Sequence, residues 1–243
     1  MSDIGDILDR HERIALQFSG GKDSLACLYL MRPYWDQLTV YWLNSGDAYP
    51  ETVTLAQKVS EMVPHFVEIA GRQPQVIDQF GIPTDILPVS GTPMGVAGSG
   101  ASVPMQDRYS CCLRSIMLPL HERMLEDGIT LIIRGQKNAD RVKGLLRSGD
   151  VDAGIECLFP LEDWSDAMVM RYLRQQDAPI PRFYEMLNDA PDCMTCSAWW
   201  EKGEGAYRKR YHYVQFQEYQ RRLDVINKAV GEYIAAFNQE VAL

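Results

Sequence analysis

A short glycine-containing loop near the start of the chain has the residue types and spacing to hold phosphate. It comprises residues 19–24, SGGKDS, between an apolar segment at 14–18 and a helical pattern. Two glycines let a backbone turn tightly, and backbone N–H groups at a helix start attract anions. The serine hydroxyls and the lysine ammonium add phosphate donors, and the aspartate can hold the loop or help to bind a cation. The predicted binding residues are Ser19, Gly20, Gly21, Lys22, Asp23 and Ser24, with Lys22 and Asp23 expected to be catalytic.

Four of the six cysteines form two close pairs, and these are Cys111, Cys112, Cys193 and Cys196. Thiolates select zinc or iron–sulfur clusters, so paired cysteines in a chain without an export signal predict a metal site rather than disulfides. Vicinal cysteines fit the usual zinc arrangement of two Cys-x-x-Cys pairs poorly. The remaining Cys27 and Cys157 lie in apolar segments and are expected to be packed in the core.

Strand and helix patterns alternate along the chain, which is typical of a parallel sheet with helices on both faces. Strands are predicted at 14–18, 39–43, 65–69, 84–89 and 130–134, and helices at 24–31, 50–62, 75–80 and 113–125, from 165 and from about 207. Residues 90–104 are rich in Gly, Ser and Pro and predict an irregular loop. We therefore expect an α/β fold, a mostly parallel doubly wound sheet with a C-terminal helical extension. The expected domains are a nucleotide-binding domain at 1–200 and the helical extension at 201–243.

The overall charge limits the partners of this chain. It carries 24 basic and 33 acidic residues, a formal net charge of −9. A protein that held long duplex DNA by charge alone would be basic, although a local basic face remains compatible with this balance. No apolar stretch is long enough to span a membrane, and residues 1–10 lack the apolar core of a signal peptide. We therefore expect a cytoplasmic protein without membrane contact.

The loop at 19–24 resembles the PP-loop of the adenine nucleotide α-hydrolase-like superfamily, and further segments resemble its phosphoadenosine phosphosulfate (PAPS) reductase-like family. Residues 43–52, LNSGDAYPET, are similar to the family's D-T-G-x-x-F-P-E-T stretch. Residues 134–141, RGQKNADR, are similar to its G-x-R-x-x-E-S-x-x-R segment. The resemblance implies an adenine nucleotide such as ATP, with Mg²⁺, and adds Gly46, Gly135 and Arg141 to its binding residues.

The cysteine pattern resembles the Cys-Cys…Cys-x-x-Cys set of the adenosine phosphosulfate (APS) reductases and their PAPS-using relatives. In that group the four cysteines hold one [4Fe–4S] cluster, and four thiolates are the ligand set that such a cluster takes. The resemblance therefore implies a [4Fe–4S] cluster on Cys111, Cys112, Cys193 and Cys196, with zinc as the alternative metal.

One departure from the family bears on the reaction. The reductases carry a nucleophilic cysteine in a C-terminal Cys-Gly-x-His-type tail, and no cysteine follows Cys196 here. This difference favours relatives with other sulfur chemistry, the PP-loop proteins of DNA phosphorothioation and the iron–sulfur tRNA thiolation enzymes. Their resemblance implies that ATP activates a nucleic-acid oxygen for replacement by sulfur, with a donor such as a cysteine desulfurase.

Two alternatives stay open beside nucleic-acid thiolation. The first is an APS or PAPS reductase whose nucleophile comes from a partner, and the second is an inert nucleotide-binding or assembly subunit. Cations stand beside aromatic residues at 207–213, followed by Arg221 and Arg222, and this pattern is compatible with nucleic-acid contact. An oligomer is compatible with each hypothesis.

Overall fold

A computed structural model describes residues 4–87, 91–99, 103–140, 144–199 and 201–241. The chain forms two compact units. The sheet unit comprises Met1–Asn44, Pro50–Ala70 and Pro119–Ala190, and the cysteine unit comprises Ser45–Tyr49, Gly71–Leu118 and Pro191–Leu243. The domain boundary at residue 200 stays a prediction, and it does not coincide with the division between these units.

The strands of the sheet unit form one mostly parallel sheet, as predicted. In chain order, the strands of the described chain are β1 (Ile14–Phe18), β2 (Leu38–Asn44), β3 (Phe66–Ala70), β4 (Ile82–Pro83), β5 (Met105–Gln106), β6 (Leu131–Ile133), β7 (Val151–Asp152) and β8 (Ile155–Leu158). The sheet has the order β3-β2-β1-β6-β8-β7, and only the β7–β8 pair in it is antiparallel. The strand order changes direction at β1, and ligands of such sheets bind outside the carboxyl ends of the strands at that point.

Helices connect these strands and make up most of the cysteine unit. They are α1 (Ile4–Leu8), α2 (Lys22–Leu30), α3 (Pro50–Met62), α4 (Gln73–Phe80), α5 (Pro93–Ser99), α6 (Arg108–Cys112), α7 (Leu118–Glu126), α8 (Asp166–Gln175), α9 (Glu204–Tyr211) and α10 (Tyr213–Val241). A π-helical turn at Leu113–Met117 joins α6 to α7, and short 3-10 turns lie at Arg32–Gln37 and Arg182–Glu185.

The core of the sheet unit explains why β1 is so apolar. Leu16 on β1 packs in the larger cluster with Leu25 of α2 and Val169 of α8, whereas Ala15 belongs to a second cluster with Met124 of α7. Successive strand residues point to opposite faces, so both faces of β1 are covered by helices. The predicted doubly wound α/β fold is confirmed, and the C-terminal helix α10 is present.

Several sequence-based elements differ from the structure in identifiable ways. The strand predicted at 84–89 is wrong over 84–87, where the Thr84 hydroxyl bonds to the backbone of Ile86 in a turn. The irregular loop predicted at 90–104 is wrong over Pro93–Ser99, which forms α5. Its first turn is capped by Thr92, whose hydroxyl accepts from the Gly95 amide at 3.0 Å. Residues 88–90 and 100–102 lie outside the described part of the chain.

The long helix predicted from about residue 207 is interrupted. His212 has non-helical φ and ψ of −138° and 58°, and it separates α9 from α10. The helix predicted from residue 165 is present as α8, and Ser165 caps it, because its hydroxyl accepts from the Met168 amide. None of the described helices is both long and apolar enough to cross a membrane.

Candidate functional site

The phosphate loop lies where the sequence predicts it, between β1 and α2. Gly20 has a φ of +81°, and a Cβ there would stand 2.4 Å from Thr52 Cγ2. A side chain would therefore suffer both backbone strain and a clash, which explains the glycine. Gly21 is the N-cap of α2, so the first amides of that helix face the end of β1.

The two serine hydroxyls of the loop bond within the loop itself. Ser24 Oγ donates to the Gly21 carbonyl at 3.0 Å and accepts from the Ser19 amide at 3.2 Å. Ser19 Oγ donates to Ser24 Oγ at 3.1 Å. These bonds hold the turn in one conformation, so its backbone donors are oriented before any ligand arrives. The assignment of Ser19 and Ser24 as phosphate ligands stays a prediction.

Lys22, the first residue of α2, is almost fully buried among carboxylates. Its Nζ lies 3.1 Å from Asp189 Oδ1, 3.4 Å from Asp23 Oδ2 and 3.6 Å from Asp166 Oδ1. Burial alone would lower the pKa of Lys22, but these three carboxylates outweigh it and the pKa is raised. The ammonium is therefore charged at neutral pH.

A second buried lysine stands beside the first and was not among the predicted site residues. Lys137 Nζ lies 2.6 Å from Asp23 Oδ1, 2.7 Å from Asp140 Oδ1 and 3.4 Å from Asp166 Oδ1. Burial would lower its pKa, and the carboxylates of Asp140 and Asp23, which face the ammonium, reverse the effect so that the pKa is raised. Asp23 and Asp166 thus join both lysines into one charged cluster. The sequence signal that could have found Lys137 is a cation directly after a buried strand.

Gly135 lets the segment after β6 approach the phosphate loop. A Cβ at Gly135 would stand 2.5 Å from the carbonyl carbon and oxygen of Asp23, so only glycine fits against that backbone. The predicted residue Gly135 therefore lies beside the loop, and it brings Lys137 within reach of Asp23. Arg141 lies outside the described residues.

The predicted residue Gly46 belongs to the cysteine unit. It has a φ of +84°, and a Cβ there would stand 3.2 Å from Pro74 Cδ. The positive φ and this close contact explain why residue 46 is a glycine. The role of Gly46 in nucleotide binding stays a prediction.

The four paired cysteines lie in the cysteine unit and influence one another. Cys111 and Cys112 end α6, whose N-cap Asp107 accepts from the Ser110 amide at 2.9 Å. Burial raises the pKa of Cys111 to about 11 and that of Cys112 to about 12, and the charge of Cys196 contributes in both cases. Burial also raises the pKa of Cys193 and Cys196. Without a cation between them, these thiols are protonated at neutral pH.

The loop from Cys193 to Cys196 is held by hydrogen bonds that other residues make to its backbone. Asp47 Oδ2 accepts from the Thr195 amide at 2.8 Å and from the Thr195 hydroxyl, and the Asp47 carbonyl accepts from the Met194 amide at 2.7 Å. On the other side, Arg222 of α10 donates to the Thr195 carbonyl at 2.8 Å. The sequence analysis did not single out Asp47 as a site residue.

A buried polar network ties α9 to the same loop. Arg208 is fully buried, pairs with Glu204, and donates to the Tyr49 hydroxyl at 2.7 Å. It also donates to the Cys196 carbonyl at 3.4 Å. Two cations of the predicted basic segment, Arg208 and Arg222, are thus buried and bonded inside the unit, whereas Lys209 and Arg210 are exposed.

The donor set can be compared with the two metals that the sequence analysis weighed. Within the described ranges, no three His, Cys, Asp or Glu side chains are grouped as ligands of a single metal ion. Four thiolates on one tetrahedral zinc would stand about 3.8 Å apart, given a Zn–S bond near 2.3 Å. A [4Fe–4S] cluster takes one thiolate on each of four irons and so spreads its ligands further. Four thiolates are the ligand set that such a cluster takes, and the choice between a cluster and zinc stays a prediction.

Comparison with known proteins gives consistent results. The family model described as phosphoadenosine phosphosulfate reductase domain matches residues 13–84, which include the phosphate loop. An adenosine 5'-phosphosulfate reductase of Burkholderia cepacia is 21% identical over 212 residues, covering 86% of this chain and 79% of that protein. A crystal structure of PAPS reductase from Candida auris, in complex with phosphate, superposes with a TM-score of 0.51 at 15% identity. That match covers 71% of this chain and 76% of the other.

Taken together, the sheet order and the glycine loop after β1 define a mostly parallel doubly wound α/β fold. The family match, the curated relative and the shared fold support the PAPS-reductase-like family for this chain.

Proposed function

We propose that this protein is an enzyme that binds an adenine nucleotide through its phosphates at residues 19–24 and acts in sulfur transfer. One observation carries the proposal, namely two buried, charged lysines beside a rigid glycine loop at the point where the strand order changes direction. Burying two ammonium groups is costly unless anions face them, and such buried charged groups concentrate at functional sites.

The residues of the loop have distinct roles in this proposal. The amides at the start of α2 and the ammonium groups of Lys22 and Lys137 would bind phosphate oxygens. Asp23 touches both ammonium groups and so fixes their spacing, and it could also contribute an oxygen ligand to Mg²⁺ brought by the nucleotide. Placed in this way, the lysines would stabilise the charge that builds up on a departing pyrophosphate.

The reaction we favour begins with nucleotide activation. An oxygen of the acceptor attacks the α-phosphorus of ATP, the bond to pyrophosphate breaks, and the acceptor oxygen is left esterified to AMP. Sulfide from a donor then displaces AMP, with the electron pair of the C–O or P–O bond leaving on the AMP oxygen. A nucleic acid is the acceptor class that we propose, and the exposed Lys209 and Arg210 are the cations available to contact its backbone.

The cysteines outside the paired set support this reaction over a reductase that uses its own nucleophile. Cys27 is completely buried and Cys157 is 4% exposed. Burial raises the pKa of both thiols, so neither is a reactive thiolate. The other four cysteines form the set we assign to a cofactor.

We assign a [4Fe–4S] cluster to Cys111, Cys112, Cys193 and Cys196. When bound, such a cluster supplies redox or sulfur-binding chemistry. The chain holds one cysteine pair on a helix end and the other on a loop fixed by Asp47 and Arg222. Anaerobic purification with metal analysis tests the assignment, since a colourless protein that contains zinc and no iron would overturn it.

A second candidate is reduction of APS or PAPS with a thiol supplied by a partner protein. The observation that favours it is the curated relative from Burkholderia cepacia, which is an adenosine 5'-phosphosulfate reductase. The two reactions share the phosphate site and differ in their products. Sulfite release with thioredoxin as the thiol source would identify the reductase.

The deciding experiment measures ATP–pyrophosphate exchange in the presence of nucleic acid, alongside sulfite release from APS and PAPS. We expect exchange in the native protein and its loss in Lys22→Ala, while Lys58→Ala, which removes an exposed lysine of α3, keeps it. Sulfite release without exchange would favour the reductase. Nucleotide binding with neither activity would overturn both reactions in favour of an inert subunit.

A further inference from the structure

The segment from Arg182 to Ala190 lies directly on the phosphate loop within the sheet unit. A Cβ placed on Gly21 would stand 3.3 Å from Ala190 Cβ and 3.5 Å from the Tyr184 hydroxyl. The segment is anchored by Phe183, which is fully buried, and by Arg182, which donates to Glu51 at 2.8 Å. It therefore covers the loop from a fixed base.

Two side chains of this segment occupy the two donors of Lys22. The Tyr184 hydroxyl accepts from the Lys22 amide at 2.6 Å, and Asp189 Oδ1 accepts from Lys22 Nζ at 3.1 Å. The amide is the first of α2, and it is one of the helix N-terminal donors that bind anions. An oxygen of each residue thus stands where a phosphate oxygen would bind.

The exposure of these groups shows which of them can move. The Lys22 side chain is 4% exposed, whereas that of Asp189 is 53% exposed and therefore approaches the ammonium from the solvent side. A carboxylate that is half in solvent is rehydrated at low cost when it leaves its partner. Asp189 can consequently turn away from Lys22 while Phe183 stays in place.

We propose that Asp189 and Tyr184 are internal competitors of the nucleotide phosphates, and that they lower the affinity of this site for every phosphate ligand that binds Lys22. The proposal rests on the proposed function in that it takes residues 19–24 as the nucleotide site. A ligand binds by displacing Asp189 from the Lys22 ammonium and the Tyr184 hydroxyl from the Lys22 amide.

The carboxylates of the cluster determine what a ligand must replace. Two ammonium groups, Lys22 and Lys137, face four carboxylates, namely Asp23, Asp140, Asp166 and Asp189. A phosphate oxygen that takes the place of Asp189 beside Lys22 exchanges one anion for another. Because the cost of displacing Asp189 and Tyr184 is the same for every ligand that displaces them, the competition weakens the binding of ATP, AMP and pyrophosphate by a similar factor.

The test compares the native protein with Asp189→Asn and Tyr184→Phe, and measures the Kd of ATP, AMP and inorganic pyrophosphate by calorimetry. Both variants keep the shape of the side chain, and thermal unfolding verifies that each is folded. We expect Asp189→Asn to bind ATP, AMP and pyrophosphate each about fivefold more tightly, because the same competitor is removed for every ligand. Tyr184→Phe, which frees the Lys22 amide, should tighten ATP binding to a smaller degree.

Asp36→Asn is the matched control, because it removes the same charge from an exposed position in the sheet unit and should leave every Kd unchanged. The gain in Asp189→Asn should also shrink at high salt, as expected for a charge effect. Equal or weaker ATP binding by Asp189→Asn, with normal binding by the native protein, would overturn the inference and leave the proposed function standing. Failure of the native protein and both variants to bind any of the three probes would overturn the proposed function as well.

Discussion

The phosphate loop, residues 19–24, and the cysteine loop, residues 193–196, are both short turns, but they are held in opposite ways. At the phosphate loop, side-chain charges meet side-chain charges, and Lys22 and Lys137 share the carboxylates of Asp23 and Asp166. At the cysteine loop, the bonds go to the loop backbone. The Asp47 carboxylate accepts from the Thr195 amide, the Asp47 carbonyl accepts from the Met194 amide, and Arg222 donates to the Thr195 carbonyl. The functional groups of the second loop, its thiols, are left protonated by burial.

This difference indicates what controls the affinity of each site for its ligand. A site whose cations already have carboxylate partners exchanges one anion for another, so its affinity is set by competition. A site whose backbone is fixed and whose thiols are neutral must release protons when it binds a metal, so its affinity depends on pH. The first arrangement suits a ligand that exchanges, and the second suits a ligand that remains bound.

The largest effect that we predict concerns the cysteines. Cys112→Ser or Cys193→Ser should remove the visible absorption of the anaerobically purified protein and most of its iron, because a hydroxyl is a much poorer ligand for the cluster than a thiolate. Cys157→Ser, at a buried position outside the paired set, is the control and should retain both. If the iron content of Cys112→Ser equals that of the native protein, Cys112 is not a ligand and the comparison between the two loops fails.

Replacing Asp47 tests whether backbone bonds alone hold the cysteine loop. Asp47→Ala removes the acceptor of the Thr195 amide and hydroxyl, and a loop without it should lose iron several-fold faster to a chelator. Asp47→Asn keeps one acceptor oxygen, and its rate of iron loss should lie between those of the native protein and Asp47→Ala. Identical rates of iron loss in all three proteins would show that the loop needs no such support.

The phosphate loop should respond most to added bulk at Gly20. Gly20→Ala meets both a φ of +81° and a contact of 2.4 Å with Thr52, and we expect it to lower the free energy of unfolding by about 2–4 kcal/mol. Gly154→Ala is a close match, since its φ is +82° and nothing lies within 4 Å of the added Cβ. Its cost should be about 1 kcal/mol, from backbone strain alone. Chemical denaturation measures both, and equal losses would show that the Thr52 contact relaxes freely.

The smallest effect concerns Glu218 of α10. Its carboxylate accepts from Arg221 and also from Arg222, the residue that holds the cysteine loop. Hydrogen bonds from Arg221, with further help from Arg222, lower the pKa of Glu218 to about 2 from its ordinary 4.5. Because the folded-state pKa is depressed, the stabilisation is complete above the unfolded-state pKa and is lost as pH falls towards 2.

Glu218→Gln should therefore be less stable than the native protein at pH 7, by no more than about 1 kcal/mol because the pair is partly exposed. The difference should disappear as the pH is lowered from about 5 towards 2. Unfolding curves at several pH values measure it. A difference that is constant over this range would mean that the ionised carboxylate contributes nothing.

The sequence predicts the fold and the position of the glycine loop at 19–24 well because both are encoded locally. The strand at 14–18 and the helix at 50–62 follow from periodicity, and SGGKDS is a contiguous motif whose conformation depends on its own backbone. Asp166 and Asp189 were missed because they reach the loop from distant parts of the chain, whereas Lys137 lies in the segment 134–141 that the sequence did point to. Without a tertiary structure, nothing distinguishes Asp189 from any other surface aspartate.

The cysteine unit was harder to predict for a related reason. The sequence indicated the four cysteines but treated the last forty or so residues as a helical appendage. The structure places Arg208 and Arg222 of α9 and α10 on the backbone of the cysteine loop. Amphipathic periodicity reports which face of a helix is apolar, and it gives no sign that a buried arginine on that face supports a site. The helix α5 was missed because Pro93 and Gly95 suggested a loop, whereas Thr92 caps a helix there.

The support of the cysteine loop also dictates an order of events during protein synthesis. Three residues hold the loop, namely Asp47, Arg208 and Arg222. Asp47 is synthesised long before the cysteines of the loop, and Arg222 is synthesised well after them. The loop cannot take its final form while residue 222 is still inside the ribosome. A metal that binds the four cysteines would therefore meet the fully supported loop only after residue 222 has left the ribosome.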